Sequence, residues 1–157
     1  MIARRKQGWD AGKASGLESR QVKVLLVDDN DVDAEGVERA FRKHRILTPI
    51  IRARDGREAL ASLRSGAVIK PFIVLLDLNM PRMNGIEFLQ ELRADPTLHD
   101  SIVFVLTTSA RDEDRAASYG FNVAGYVVKE SVGEYFIKLL EMLGAYWRIV
   151  ELPVEAH

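Results

Sequence analysis

The residues with the clearest chemical potential are three aspartates that follow apolar segments. Asp28 and Asp29 come directly after an apolar segment at 22–27, and Asp77 ends the run Phe-Ile-Val-Leu-Leu-Asp at 72–77. Carboxylates brought together repel one another unless a cation lies among them, and oxygen ligands without nearby His or Cys favour Mg²⁺. The three aspartates therefore predict a magnesium site, provided that the fold brings them together.

A magnesium site of this kind points to phosphoryl chemistry. Mg²⁺ usually divides its coordination between a few carboxylates, water and phosphate oxygens. Because an aspartate carboxylate can accept a phosphoryl group covalently, Asp77 is the candidate nucleophile. Thr107 and Lys129 each follow a later apolar segment and offer a hydroxyl and a positive charge for phosphoryl oxygens. Each residue alone also has an ordinary explanation, since paired aspartates such as Asp28 and Asp29 can simply cap a helix.

Alternating strand and helix patterns must position these residues. The predicted strands are 22–27, 48–53, 72–77, 101–106 and 123–128. The predicted helices are 32–44, a segment around 59–63 that follows a turn at 55–56, a segment from 86 to about 95, 112–118 and 132–150. This alternation predicts parallel strands joined by right-handed crossovers, in an open α/β sheet with helices on both faces. The ligand site of such a sheet lies at the carboxyl ends of its strands, where all five candidate residues are expected.

Length and composition limit the functional classes. The 157 residues are predicted to form one domain at 22–150, with an N-terminal arm or tail at 1–21 and a C-terminal tail at 151–157. Lys and Arg total 22 against 23 Asp and Glu, which argues against a dedicated nucleic-acid binder. There is no cysteine, no signal peptide and no apolar run long enough to span a membrane, so we expect a cytoplasmic protein. The seven residues after 150 are expected to leave no room for a helix-turn-helix or a catalytic domain, so the protein is expected to act through contacts with other proteins.

Four short motifs resemble those of the receiver domains of two-component response regulators. They are Val-Asp-Asp-Asn at 27–30, Leu-Asp-Leu-Asn-Met-Pro at 76–81 with Asn-Gly at 84–85, Leu-Thr at 106–107 and Tyr-Val-Val-Lys at 126–129. The resemblance covers about 22–144. It implies a doubly wound, flavodoxin-like receiver fold with five parallel strands in the order 2-1-3-4-5.

The resemblance also implies a role for each acidic residue. Asp77 would accept a phosphoryl group from a phosphohistidine on a partner histidine kinase. Asp29, Asp77 and the backbone carbonyl of Asn79 would bind Mg²⁺ directly, and Asp28 would bind it through water. Such a domain is a phosphoacceptor in signalling, and it assists only its own phosphorylation and dephosphorylation.

The remaining family positions concern the switch that follows phosphorylation. By the resemblance Thr107 would move toward the aspartyl phosphate, Tyr126 would turn inward behind it as the switch aromatic, and Lys129 would pair with the phosphate. The sequence departs from the family at Glu130, where receivers typically have proline, so the peptide bond before Glu130 is expected to be trans. A carboxylate at this position could also compete for the charge of Lys129.

A narrower resemblance is to stand-alone response regulators that partner phytochrome-type histidine kinases. It rests on the Val-Asp-Asp-Asn start, on Leu-Thr-Thr-Ser at 106–109, and on Tyr-Trp at 146–147 with Leu-Pro at 152–153. It implies a red-light photoreceptor kinase upstream and possibly a further phosphotransfer or output protein downstream. The predicted last helix has apolar residues on more than one face, which predicts a homodimer through this helix and the fifth strand.

Three alternatives compete with this interpretation. A phosphatase with an aspartate nucleophile usually has a second aspartate two positions on as general acid, and here that position is Asn79. A flavin or nucleotide binder would need a glycine-rich phosphate loop after the first strand, where none occurs. A receiver-like module that binds partners without phosphorylation is the third, and Glu130 keeps it open.

Overall fold

A parallel five-stranded sheet forms the centre of the computed structural model, which describes residues 22–78, 80, 82–107, 120–128, 138 and 141. In chain order the strands are β1 (Lys23–Val27), β2 (Ile50–Ala53), β3 (Phe72–Asp77), β4 (Ile102–Thr107) and β5 (Gly125–Val128). Their order across the sheet is β2-β1-β3-β4-β5. The predicted doubly wound fold and its strand order are therefore confirmed.

Three helices cover the sheet in the described part of the chain, and each begins at a capping side chain. They are α1 (Asp31–Lys43), α2 (Gly56–Arg64) and α3 (Gly85–Ala94). The caps are Asn30, Asp55 and Asn84, and each accepts a hydrogen bond from the backbone N–H three residues on. Asn84 and Glu87 form a reciprocal capping box, a pair of bonds that satisfies two otherwise unpaired helix N–H groups.

Several bounds of the predicted elements are wrong, and two of these differences have a local cause. The sequence predicts a turn at Asp55-Gly56, whereas Asp55 is the cap and Gly56 the first residue of α2. The second strand begins at Ile50, because Pro49 has no N–H to donate, although its carbonyl still accepts from Val24 N–H at 2.9 Å. The first and last strands begin one and two residues later than predicted, and the fourth is shifted by one residue to end at Thr107.

The core lies in two layers, one on each face of the sheet. One cluster joins α1 to the alternate side chains of β1, β3 and β4, for example Leu26 and Leu75. The other joins α2 and α3 to the intervening side chains, such as Leu25 and Leu76. β3 is buried along its whole length, as expected for a central strand covered on both faces.

Arg93 in α3 ties this helix to the far end of the sheet. Its guanidinium donates to four backbone carbonyls, those of His99 (2.7 Å), Ser101 (2.8 Å), Phe121 (2.6 Å) and Asn122 (3.0 Å). These carbonyls lie just before β4 and between β4 and β5, so one half-buried side chain stabilises two connections.

Several predicted elements lie outside the described residues. These are the N-terminal arm or tail, the helix at 112–118, most of the helix at 132–150, and the C-terminal tail. Within the predicted helix at 132–150 only Lys138 and Glu141 are described, and both are helical and exposed. None of the helices in the described part of the chain combines the length and apolar character that crossing a bilayer requires.

Candidate metal centre

The three aspartates singled out in the sequence come together at the carboxyl ends of β1 and β3. Asp28, Asp29 and Asp77 each offer a carboxylate oxygen, and these three oxygens lie within 4.8 Å of one another. Asp28 is fully buried, Asp77 is 6% exposed and Asp29 is half-buried. A donor set made only of carboxylate oxygens fits a hard divalent cation, whose charge would offset the repulsion of three anions.

Asp28 is held by its backbone as well as by its side chain. Its N–H donates to the carbonyl of Ala53 at 3.0 Å, which extends the β1–β2 ladder by one residue beyond the strand. Its carboxylate Oδ1 accepts from the N–H of Asn30 at 2.9 Å. Asn30 in turn caps α1, so the alternative that Asp28 or Asp29 caps this helix is wrong. The segment between β1 and α1 therefore presents its two aspartates from a fixed turn.

Asp77 is the last residue of β3, where it pairs with Leu106 of β4. The chain then turns back, and the N–H of Gly85 donates to the carbonyl of Leu78 at 3.0 Å. A Cβ atom on Gly85 would lie 2.5 Å from the Leu78 Cα and 2.8 Å from the Asp77 carbonyl oxygen. Only glycine lets α3 start this close to the backbone that carries Asp77.

The loop after Asp77 is also tied to the start of α2. Arg82, at a positive φ of 59°, donates from Nε and Nη2 to one oxygen of Asp55 at 2.8 and 2.7 Å. The carbonyl of Met83 accepts from Gly56 N–H at 3.2 Å. The backbone hydrogen bond from Glu58, followed by the pairing with Arg82, holds the pKa of Asp55 below its ordinary value although burial acts in the opposite direction.

The other predicted site residues are only partly within the described structure. Thr107 is the final residue of β4, beside Val128 of β5, and its side chain lies outside the description. Tyr126 is half-buried in β5 and packs against the core cluster that includes α2 and α3. Asn79 and Lys129 lie outside the described residues.

Two arginines beside the acidic cluster were not identified from the sequence. Arg52 and Arg54, both at the carboxyl end of β2, contact Oδ1 of Asp31 at 3.0 and 2.8 Å. Hydrogen bonds from Arg52, and then from Arg54, lower the pKa of Asp31. Nothing in the local sequence marks these residues, because their partners lie more than twenty positions away and meet them only through the pairing of β1 with β2.

Comparison with known proteins defines the class of protein. The sequence model of the response regulator receiver domain matches residues 24–141. The chain therefore belongs to the response regulator receiver domain family, whose members are signalling domains of two-component systems. The resemblance predicted from the four motifs is confirmed.

Individual relatives narrow the comparison. Response regulator Rcp1 of Synechocystis sp. is 34% identical over 135 residues, which cover 83% of this chain and 92% of Rcp1. Among solved structures, a two-component response regulator from Legionella pneumophila is 38% identical with a TM-score of 0.67, covering 80% of this chain and 99% of that one. The bacteriophytochrome response regulator RtBRR is 32% identical with a TM-score of 0.69, covering 85% and 84%. An Mn²⁺-bound form of Rcp1 has also been solved, and it is 32% identical with a TM-score of 0.63, covering 85% and 99%.

Proposed function

We propose that this chain is a response regulator in which Asp77 accepts a phosphoryl group from a phosphohistidine on a histidine kinase. The observation that carries the proposal is the convergence of three carboxylates, with oxygens within 4.8 Å of one another, around the end of the central strand β3. Asp77 is the member of this group that ends β3 itself, and it is 6% exposed. This low exposure limits how a phosphodonor can approach the carboxylate, and catalysis of such a transfer depends largely on positioning.

In the transfer, a carboxylate oxygen of Asp77 forms a bond to phosphorus while the bond from phosphorus to the imidazole nitrogen breaks. The electron pair of the broken bond stays on the imidazole nitrogen of the kinase. Asp28, Asp29 and Asp77, with the carbonyl of Asn79, would hold a divalent cation, which when bound neutralises charge on the phosphoryl oxygens. Mg²⁺ is the cation we propose, and the Mn²⁺-bound form of the relative Rcp1 supports a hard divalent ion.

Three further residues complete the proposed phosphorylation site. Lys129 would pair with a phosphoryl oxygen and Thr107 would donate its hydroxyl to another. Tyr126 would report the phosphorylated state by turning inward. The position of Thr107 at the end of β4, next to β3, supports its assignment. The replacement of the usual proline by Glu130 makes the segment after β5 the part of the site where this chain departs from its family.

We propose a phytochrome-type kinase as the upstream partner. The proposal is supported by the motifs shared with stand-alone response regulators of this kind, and by the similarity to RtBRR, a bacteriophytochrome response regulator. A purified bacterial phytochrome kinase, phosphorylated with ATP, should transfer label to this chain faster than an unrelated histidine kinase does. Equal rates from both kinases would argue against the pairing.

The first experiment tests Asp77 itself. Acetyl phosphate is supplied with and without Mg²⁺ to the wild type, to Asp77→Asn and to Asp100→Asn, and phosphoprotein is separated on a phosphate-affinity gel. Asp100 is the matched control because it is an exposed aspartate that pairs with Lys70 and lies outside the acidic cluster. We expect Mg²⁺-dependent phosphorylation of the wild type and Asp100→Asn, and none of Asp77→Asn.

Other outcomes would favour the remaining candidates. Equal labelling of Asp77→Asn would refute Asp77 as the acceptor. If neither acetyl phosphate nor a panel of phosphorylated kinases labels the wild type, the phosphorylation-independent binding module becomes the better hypothesis. Continued release of phosphate from an added phosphomonoester would favour a phosphatase, which we do not expect because position 79 is asparagine rather than a general acid.

We also propose a homodimer through the last helix and β5. β5 is an edge strand, and its Tyr126 and Val127 are half-buried within the single chain, so they retain surface for a partner. Light scattering coupled to size exclusion should give twice the monomer mass. A monomer at high protein concentration would refute this assembly.

The predicted domain bounds and the predicted cytoplasmic location stay predictions.

A further inference from the structure

Arg52 makes three contacts with the short segment between β1 and α1 that carries Asp28 and Asp29. Its Nε and Nη2 donate to the backbone carbonyl of Asp28 at 3.0 and 2.8 Å. Its remaining nitrogen, Nη1, contacts Oδ1 of Asp31 at 3.0 Å. The Arg52 side chain is 21% exposed, so these contacts are largely shielded from solvent. All three guanidinium nitrogens are therefore committed to one short segment of chain.

The accepting carbonyl belongs to the peptide unit that joins Asp28 to Asp29. A peptide unit is planar, so fixing its oxygen fixes the direction in which the chain enters Asp29. Two donors from one planar guanidinium restrict rotation of this carbonyl more than a single donor would. The N–H of Asp28 is held on its other side by Ala53 at 3.0 Å. The backbone of the two adjacent acidic residues is thus held from the neighbouring strand β2.

We propose that Arg52 is a positioning residue for the metal centre, orienting the Asp28–Asp29 peptide so that both carboxylates meet Asp77. This inference rests on the proposed function, because it assumes that the acidic cluster binds a divalent cation. It adds a part of the site that lies on β2, a strand that contributes no residue to the acidic cluster. The role matches that of outer residues that orient metal ligands without touching the metal.

The charge of Arg52 and its positioning role predict opposite effects on metal affinity, so a binding measurement can distinguish them. A guanidinium beside a cation site repels the incoming ion, so removing its charge should tighten metal binding. Loss of positioning should weaken it. Arg54 is the matched control, since it also pairs with Asp31 (2.8 Å) and carries the same charge, but its side chain is more exposed at 53%. The backbone N–H of Arg54 donates to Glu58 Oε1 at 2.7 Å, whereas the carbonyl of Asp28 is held by Arg52.

The experiment measures binding of Mn²⁺ alone, followed by electron paramagnetic resonance of the free ion, without any phosphodonor. The proteins are the wild type, Arg52→Met, Arg52→Lys and Arg54→Met. Methionine keeps an unbranched side chain and removes all donors, whereas lysine keeps the charge and removes the two-point fork. We expect Mn²⁺ binding about tenfold weaker in Arg52→Met and weaker also in Arg52→Lys, since loss of a ligand-orienting residue typically costs about 10–100-fold. Arg54→Met should bind as tightly as the wild type or slightly more tightly.

Urea unfolding in EDTA separates positioning from a general loss of stability. A purely structural role would lower the unfolding midpoint of Arg52→Met and leave the Mn²⁺ affinity of its folded form unchanged. Unchanged or tighter Mn²⁺ binding in both Arg52 variants would overturn the inference, and so would equal weakening in Arg54→Met. If Arg52→Met does not fold, Arg52→Lys decides by the same criteria.

A further variant keeps the two proposals distinct. Asp29→Asn should abolish Mn²⁺ binding if the acidic cluster is the metal centre. If the wild type and Asp29→Asn bind Mn²⁺ alike, the proposed metal centre itself fails. If Asp29→Asn loses binding while Arg52→Met and Arg52→Lys retain it, the centre stands and only the role of Arg52 is wrong.

Discussion

Replacing Gly85 with alanine tests how tightly the chain after β3, the strand that carries the proposed phosphoacceptor Asp77, is packed against α3. The added Cβ would lie 2.5 Å from the Leu78 Cα, 2.8 Å from Leu78 Cδ2 and 2.8 Å from the Asp77 carbonyl oxygen. Two of these three atoms belong to the backbone, so a change of side-chain rotamer cannot relieve the overlap. Either the start of α3 moves outward, or the chain that follows Asp77 moves.

The cost can be worked out from two opposing effects. Overpacking a well-packed position costs about 1–3 kcal/mol, and a backbone contact at 2.5 Å places this case at the upper end. Alanine is favoured over glycine by about 1 kcal/mol in a helix interior, and by less at the first helical position that Gly85 occupies, so only part of that cost is offset. We therefore expect a net loss of about 2 kcal/mol in the free energy of unfolding. For a domain of this size that corresponds to a fall in Tm of about 4–8 °C.

The assay is urea unfolding followed by far-UV circular dichroism, with Gly36→Ala as the matched control. Gly36 lies within α1, and in the described part of the chain a Cβ added there would have no atom within 4 Å besides its chain neighbours and the backbone of its own helix. The same substitution should therefore stabilise the protein at position 36, by up to about 1 kcal/mol. The two variants test one chemical change in two environments.

The expected result is a lower urea midpoint for Gly85→Ala and a higher one for Gly36→Ala, with similar slopes. If Gly85→Ala were as stable as the wild type, the backbone after Asp77 would have to yield at almost no cost. That outcome would refute the view that a rigid contact with α3 holds the proposed phosphoacceptor Asp77 in place.

Two further predictions concern contacts away from the acidic cluster. Arg93→Met removes the four hydrogen bonds to carbonyls that join α3 to the segments beside β4 and β5. The free energy of unfolding, measured in urea, should therefore fall by about 2–4 kcal/mol. A loss below about 1 kcal/mol would contradict this reasoning. The Glu58 N–H and Arg82 lower the pKa of the Asp55 carboxyl in the folded protein. The ionised carboxylate therefore stabilises the fold fully above the unfolded pKa of about 4, and this stabilisation is lost as the pH falls through the folded pKa. The difference in urea midpoint between wild type and Asp55→Asn should therefore be larger at neutral pH than at about pH 3, and a difference that does not change with pH would argue against a role for the charge.

The fold could be predicted from the sequence because its signals are local. β3 is a continuous apolar run that ends in a carboxylate, and Pro81 and Gly85 separate this run from the next helical pattern. The order of the strands has no such local signal, because it depends on which distant strands the crossovers bring together. It was predicted from the resemblance to receiver domains, and the structure confirms it.

Errors in the predicted elements arose where one side chain decides between two local conformations. Asp28, Asp29 and Asn30 are all suitable helix caps, and only the structure shows that Asn30 accepts the bond from Asp33 N–H. Asp55-Gly56 suits a turn and a helix start equally well. The contact with Arg82, twenty-seven positions away, belongs to the helix start and cannot be read locally.

By itself, the sequence determined that three aspartates would lie at the same edge of a sheet, because parallel strands have all their carboxyl ends at one edge. The position of β1 beside β3 in the sheet then makes them neighbours in space. Which other side chains would support them was decided only by the tertiary structure. The pairing of Leu26 with Arg52 brings the Arg52 guanidinium to the Asp28 carbonyl, and a shift of one residue would turn that side chain to the opposite face of the sheet. Register is a property of two distant segments together, and neither segment carries it alone.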